Sequence, residues 1–226
     1  MFRFPPPTRL LKILVGGLAI AFVVEALADN WQGIGLVRLL ALRVGDLHLG
    51  ALWQVFTYPL AIFTPQIFSV LIQLFFCWWI IGDFERNVGT ETTVMLLVFT
   101  SVGTGLVVFA LGLFLPMRSY LTGPWPMVLG AISAMAWRLR GRGTMNLYGV
   151  VPMKAEHLLI ALGVFSLVVF IVSKDLIDLV GPLVALGLGI AFTEWTRRGG
   201  GSGIRKQMRR GFRVIEGGRK DKRWMN

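Results

Sequence analysis

The feature that most constrains this chain is its set of long, uninterrupted apolar runs. Several approach the roughly 20 residues that a helix needs to cross a bilayer. Because a backbone inside lipid must satisfy its own hydrogen bonds, and because the runs are continuous rather than alternating, they favour helices over a barrel. Hydrophobic residues make up 55% of the chain and charged residues 15%, against about 25% charged in soluble domains. The sequence therefore predicts an all-α membrane protein.

We predict six membrane helices, of which the fourth is too short to cross alone. They cover approximately residues 11–27, 66–81, 92–115, 125–137, 156–173 and 179–195. The fourth would be about 20 Å long at 1.5 Å per residue. A helix that starts inside the membrane needs protein or a water-filled cavity around its end. Pro124 and Pro126 suit a helix start, where a missing N–H costs little.

The connection between the first two spans, residues 28–64, is too apolar for a loop in water. Ile34, Val37 and Leu40 recur at helical spacing, and such a segment can lie in the bilayer interface. Trp31 and Trp53 suit that depth. We therefore expect an interfacial first loop.

The chain divides into a membrane domain, residues 1–196, and a basic tail, residues 197–226. Six spans place both termini on one side. Of the 23 lysines and arginines, only Arg38, Arg43, Arg118 and Lys174 fall on the other side. Because cytoplasmic loops are enriched in Lys and Arg, we expect both termini to be cytoplasmic, in a bacterial cytoplasmic membrane.

The tail has an amphipathic pattern after its glycine-rich start. Ile204, Met208 and Phe212 share one helical face. The cations on the other faces are Arg205, Lys206, Arg209, Arg210 and Arg213. Such a segment can bind an anionic membrane surface, or it can be a solvated charge run. Basic tails also bind nucleic acids, but nothing in this one would contact bases, and we expect no nucleic-acid partner.

Two motifs carry a resemblance to a known family. The segment Gly82–Gly89, Gly-Asp-Phe-Glu-Arg-Asn-Val-Gly, is similar to the Gly-x-x-x-Glu-Arg-x-x-Gly signature of the intramembrane rhomboid proteases, allowing for one residue of spacing. The segment Trp53–Tyr58 is similar to their Trp-Arg-x-x-Thr-Tyr pattern, with Gln54 in place of the arginine. With the short fourth span, these motifs make residues 11–195 resemble the rhomboid superfamily. The resemblance implies a six-helix rhomboid-like bundle.

The resemblance also implies that the active site has been lost. Active rhomboids use a serine at the start of span four and a histidine in span six, and here those positions hold Trp125 and Pro182. In span two, Ser69 falls near a family histidine and Gln73 at a family asparagine. A serine hydroxyl needs a nearby base to become a nucleophile. With both groups replaced, we expect no catalytic residues and no rhomboid-type proteolysis.

Other reactive groups do not form an obvious substitute site. Ser133 lies two turns deeper than Trp125, and His48 and His157 lie on opposite sides of the membrane from one another in the six-span arrangement. No spaced metal-ligand cluster, phosphate-binding loop or redox pair stands out, so we expect no metal and no cofactor. Trp125 is then either a packing or anchoring residue, or it plugs the former site or contacts a client helix. Glu25, near the end of span one, either reaches the interface or pairs locally, or it offers a polar contact to a bound helix.

Small residues recur at helical spacing in spans four and six. Span four holds Pro126, Gly130 and Ala134, and span six holds Gly181, Ala185 and Gly189. Small residues at this spacing let helix backbones approach closely in lipid. We expect the two helices to pack through them.

These features leave three hypotheses for function. The favoured one is a non-catalytic rhomboid-like protein that binds the transmembrane helices of client or partner proteins in quality control, trafficking or assembly, as the resemblance to derlins and inactive rhomboids implies. The alternatives are an active serine protease with a rebuilt site, and a structural subunit of a larger membrane complex. Membrane lipids are expected partners in each case.

Overall fold

The structure is a computed structural model that describes residues 8–31, 33, 35–44, 52–62, 67–114, 119–140, 144–147 and 151–199. Its helices are α1 (Arg9–Trp31), α2 (Leu36–Leu40), α3 (Gln54–Thr57), α4 (Ile67–Phe76), α5 (Gly82–Val88), α6 (Thr90–Phe114), α7 (Trp125–Leu139), α8 (Ala155–Ser173) and α9 (Leu176–Arg197). A 3₁₀ turn, Tyr58–Leu60, follows α3, and a π-helical segment, Cys77–Ile81, joins α4 to α5.

Five helical stretches are long and apolar enough to cross a membrane. They are Arg9–Asp29, Ile67–Val88, Thr90–Phe114, Glu156–Ser173 and Leu176–Arg197. The chain is therefore mostly helical and has the helices of an integral membrane protein. Helix α7 is shorter, at 15 residues, or about 22 Å. Eight of those residues are buried, so more than half of α7 is covered by the rest of the bundle.

The second span differs from its predicted course. We expected the span to cover approximately residues 66–81, and in the structure the helix continues through the Gly82–Gly89 motif as far as Val88. It ends at Gly89, whose φ of 91° favours glycine. The reason for the extension is that Phe84 and Glu85 are buried, so tertiary packing holds this turn helical. We call this end of the bundle the Glu85 end, and the opposite end, where α7 starts, the Trp125 end.

The connections contain short strands that the sequence analysis did not foresee. In the part of the first loop that the structure describes, α2 covers Val37 and Leu40 of the stretch with helical spacing, and β1 (Leu42–Val44) follows it. It pairs antiparallel with β2 (Ser119–Leu121) just before α7. A hairpin of β3 (Thr144–Leu147) and β4 (Val151–Lys154) joins α7 to α8. The pairing of β1 with β2 fixes the first loop over the Trp125 end.

The buried core lies where α6, α7 and α9 meet, and α1 and α5 complete it on one side. One cluster joins Leu11 and Leu18 of α1 to Phe84, Leu96 and Val128. A second lies beneath the β1–β2 pair around Tyr58 and Val108. Helix α8 is peripheral and packs through Leu159 and Leu162 on Leu129. The tail beyond residue 199, with its five cations predicted to bind a membrane surface, lies outside the described residues.

Candidate functional site

Helices α7 and α9 run parallel and touch through their backbones. A Cβ built on Gly189 would overlap Gly130 O and Ser133 Oγ. One turn further along both helices, Thr193 Oγ1 lies 3.4 Å from Ala134 O. Gly189 and Thr193, the partners of Gly130 and Ala134, are thus four residues apart on α9, so the two helices stay in register over this turn. The helix axes are so close here that only glycine or a very small side chain fits between them.

The register continues toward the Trp125 end. One turn before Gly130 and Gly189 it sets Pro126 level with Ala185, and both are buried. Gly181 faces the strand β2 rather than α7 itself, because a Cβ on it would lie 3.4 Å from the Leu121 side chain. Five of the six small residues therefore lie along the seam between α7 and α9, and Gly181 lies at its end against β2.

Helix α6 closes the other side of this seam. A Cβ on Gly130 would overlap the side chain of Thr100, whose hydroxyl donates to Leu96 O at 2.8 Å. One turn closer to the Trp125 end, Thr104 is fully buried and its hydroxyl has no hydrogen-bond partner. Gly130 is thus held between α6 and α9, which fixes the position of α7.

Trp125 is the first residue of α7 and keeps an exposed face. Its relative exposure is 38%, and its ring lies 5.9 Å from that of Phe76 on α4. The preceding Gly123 has a φ of 80°, a conformation that favours glycine, and its N–H donates to Tyr58 O at 3.0 Å. The turn before α7 is therefore firmly placed, and it presents an indole where the resemblance aligns a serine.

Pro182 lies inside α9, close to the level of Gly123 in the α7–α9 register. It is half-buried. Its ring nitrogen carries no proton and is not basic, and its lack of an N–H leaves the carbonyl one turn earlier without its helical donor. The arrangement of Trp125 and Pro182 offers neither a nucleophile nor a base.

Gln73 and Ser69 lie on α4, facing the start of α7 and one turn beyond. Gln73 Nε2 lies 3.5 Å from the position that a Cβ on Gly123 would take. Its amide oxygen is buried and accepts no hydrogen bond. Ser69 is half-buried one turn away. The structure therefore brings Gln73, Gly123 and Trp125 together, with Phe76 beside them.

The remaining groups that could act chemically are apart from this place. Ser133 is fully buried and donates to Gly130 O at 3.0 Å, beneath Gly189. His157 is exposed near the start of α8, and His48 lies outside the described residues. Among the residues that the structure describes, no group of three or more His, Cys, Asp or Glu could hold a metal ion.

A hub around Tyr58, which was not predicted from the sequence, supports the Trp125 end. Tyr58 is fully buried, and its hydroxyl donates to Ser101 O of α6 at 2.8 Å. Burial raises the pKa of the Tyr58 phenol, which keeps it a neutral donor. Gln54 accepts from Arg43 N–H at 3.2 Å and donates to Leu39 O at 3.1 Å. The pattern Trp-x-x-x-Thr-Tyr at Trp53–Tyr58 was the sequence feature that could have indicated this hub. In the structure it supports Gly123.

Glu85, the glutamate of the Gly82–Gly89 motif, holds three helices together, and we call it the fastener of this end. It is 4% exposed and accepts hydrogen bonds from the hydroxyls of Thr8 and Thr90. These bonds join the start of α1, the end of α5 and the start of α6. Glu25 is also buried, and its Oε2 accepts from Ile62 N–H at 3.0 Å. Glu25 therefore pairs locally, which is one of the outcomes expected for it, and its Oε1 is buried without a hydrogen-bond partner.

Comparison with known proteins adds no relative, since no family model matches the chain and a search of curated proteins finds no match either.

Proposed function

We propose that this chain is a non-catalytic, rhomboid-like membrane protein that binds transmembrane helices of client or partner proteins. The observation that carries the proposal is the exposed indole of Trp125 at the start of a short helix inside the bundle. A short α7 needs shielding at its first turn, and the indole is shielded only in part, although Phe76 of α4 lies against it. A second apolar helix lying there would cover the indole.

The side of the bundle next to Trp125 is sparsely packed. Val70 is the one buried residue of α4, and Phe68, Leu71 and Phe75 are exposed. Gln73 adds an amide oxygen without a partner. Gln73 is on the opposite face of α4 from those three residues, toward Gly123. An amide there suits a transmembrane helix inserted between α4 and α7, because interhelical hydrogen bonds from Gln side chains add to van der Waals packing in lipid.

The chemistry at the start of α7 supports binding without cleavage. Hydrolysis of a peptide bond by this type of site needs an activated oxygen nucleophile, and Trp125 and Pro182 supply neither the oxygen nor the base. Ser133 is the nearest serine on α7, but its hydroxyl is bonded within its own helix and covered by α9.

The proposal includes an orientation and a membrane. Arg38, Arg43 and Lys174 flank the Trp125 end. The cations that flank the Glu85 end are Arg86, Arg138, Arg140, Arg197 and Arg198. The enrichment of cations in cytoplasmic loops supports a cytoplasmic Glu85 end and tail, in a bacterial cytoplasmic membrane. To test this orientation, a reporter that is active only outside the cytoplasm is fused after Asn226. Activity of that reporter would overturn the orientation.

Photo-crosslinking in intact membranes tests the function. A photoreactive residue at Trp125 is compared with one at Val172, which is 79% exposed at the end of peripheral α8. We expect several uncleaved membrane proteins to crosslink at Trp125 and not at Val172. Equal crosslinking at both positions would mean that Trp125 faces lipid. A single stoichiometric partner would instead favour a structural subunit of a larger complex.

A further inference from the structure

The second span is built in three parts with very different support. Helix α4 has one buried residue, whereas the π segment buries Cys77, Ile80 and Ile81. Beyond it, α5 is fixed by Glu85 through its bonds to Thr8 and Thr90. One end of the span is therefore fastened to two other helices, and the other end lies largely free of the core.

The π segment is located at the boundary between the two parts. A π turn holds one more residue than an α turn, is rare, and is a recognised cause of kinks in helices. At its end, the N–H of Gly82 is shared between Trp78 O and Trp79 O. These acceptors lie four and three residues back, so ordinary helical bonding resumes at Gly82. A π turn between two α-helical parts is a place where the tilt of one part relative to the other can change.

The contacts of α4 with the start of α7 are of a kind that can be released. They include the ring contact of Phe76 with Trp125, and the approach of Gln73 to Gly123. The Gln73 amide oxygen has no hydrogen bond to lose. The aromatic group of Phe75, Phe76 and Trp79, with ring centroids 5.5–6.3 Å apart, joins α4 to the π segment and would move with α4.

We propose that Cys77–Ile81 is a hinge on which α4 swings away from Trp125 while α5 stays fixed. The movement opens the space between α4 and α7 at the level of Gln73 and Trp125, and the apolar occupant of that space is a transmembrane helix. The hinge deepens the helix-binding function and rests on it for its purpose, but its existence is tested without any client.

Distances between paired spin labels, measured on the full chain in lipid nanodiscs, test the hinge. One pair joins Phe68→Cys on α4 to Leu183→Cys on α9. The matched pair joins Arg86→Cys on α5 to Ala191→Cys two turns along the same α9. All four positions are exposed, and Cys77→Ala removes the native thiol. We expect two distance populations for the α4 pair and one for the α5 pair. A single narrow population in both pairs would overturn the hinge.

Deletion of Trp78, which is 41% exposed, removes the extra residue of the π turn and sharpens the test. In a folded deletion variant, the α4 pair should show one population only. Two persisting populations would place the movement elsewhere and contradict the proposal. If the deletion does not fold, the comparison of the two pairs in the intact span still decides. Crosslinks at Trp125 with a single α4 distance would refute the hinge alone, whereas two distances without crosslinks would refute the helix-binding function alone.

Discussion

On one side of Trp125, α7 and α9 meet through the backbones of Gly130 and Gly189. On the other side, α4 meets the start of α7 through the side chains of Phe76 and Gln73. The first contact has no freedom, because even a methyl group would overlap a backbone oxygen. The second is made by an aromatic ring and an unbonded amide, which can move. The difference indicates that α7 is positioned by α6 and α9, and that α4 is the side on which the bundle can admit something.

The largest expected effect comes from filling the rigid contact. Gly189→Ala should destabilise the protein by about 3 kcal/mol, near the upper end of typical overpacking costs, because its Cβ would overlap Gly130 O, which cannot rotate away. Gly189→Leu should prevent folding. Thermal unfolding in detergent measures both.

The matched control lies two residues away on the same helix. A Cβ on Gly187 would meet nothing within 4 Å, so Gly187→Ala should be neutral or stabilise by up to about 1 kcal/mol through helix propensity. Equal melting temperatures for the alanine variants at 187 and 189 would show that α7 and α9 are not in backbone contact.

A smaller effect is expected from loosening the fixed end of the second span. Glu85→Ala leaves the Thr8 and Thr90 hydroxyls without their acceptor and should cost about 1–3 kcal/mol. Glu85→Gln keeps one acceptor oxygen and should cost less. We expect the unfolding temperature to be lowest for Glu85→Ala, intermediate for Glu85→Gln and highest for the wild type. An alanine variant as stable as wild type would remove Glu85 as the fastener that the hinge requires.

The smallest effect is expected from restoring the missing serine. Trp125→Ser should give no proteolysis and no labelling by a fluorophosphonate, since the hydroxyl would have no base to activate it. Adding Pro182→His supplies a base, but Pro126 still occupies the second helical position, so activity should stay low. Efficient cleavage of a model transmembrane substrate by the unaltered protein would contradict the non-catalytic proposal outright.

Much of the helical layout followed from the sequence because bilayer thickness sets the length of an apolar run. The short α7 was foreseen from Pro124, Pro126 and the basic residues after Trp137, and its bounds in the structure are Trp125–Leu139. The extension of the second span through Val88 was not foreseen, because it depends on burial of Phe84 and Glu85 by other helices. The residues of the Gly82–Gly89 motif do not by themselves indicate which of them other helices bury.

The candidate site was foreseen only in part. The spacing of small residues indicated the seam that contains Gly130 and Gly189, because that spacing is a local property of each helix. The contact of Gln73 with Gly123 and the hub at Tyr58 join residues far apart in the chain, and no local pattern fixes such distances. The π segment was missed because Cys77–Ile81 has the same composition as the apolar helix around it.

Hydrogen exchange along the chain, followed by mass spectrometry in nanodiscs, tests most directly the claim that Trp125 lies between a rigid and a movable side. Local opening free energies span from near zero up to the global stability. We predict that amides of α4, Ile67–Phe76, exchange much faster than those of α7 and of the facing stretch of α9 from Gly181 to Thr193, although all lie in membrane helices. Equal protection of α4 and the α7–α9 seam would contradict the account.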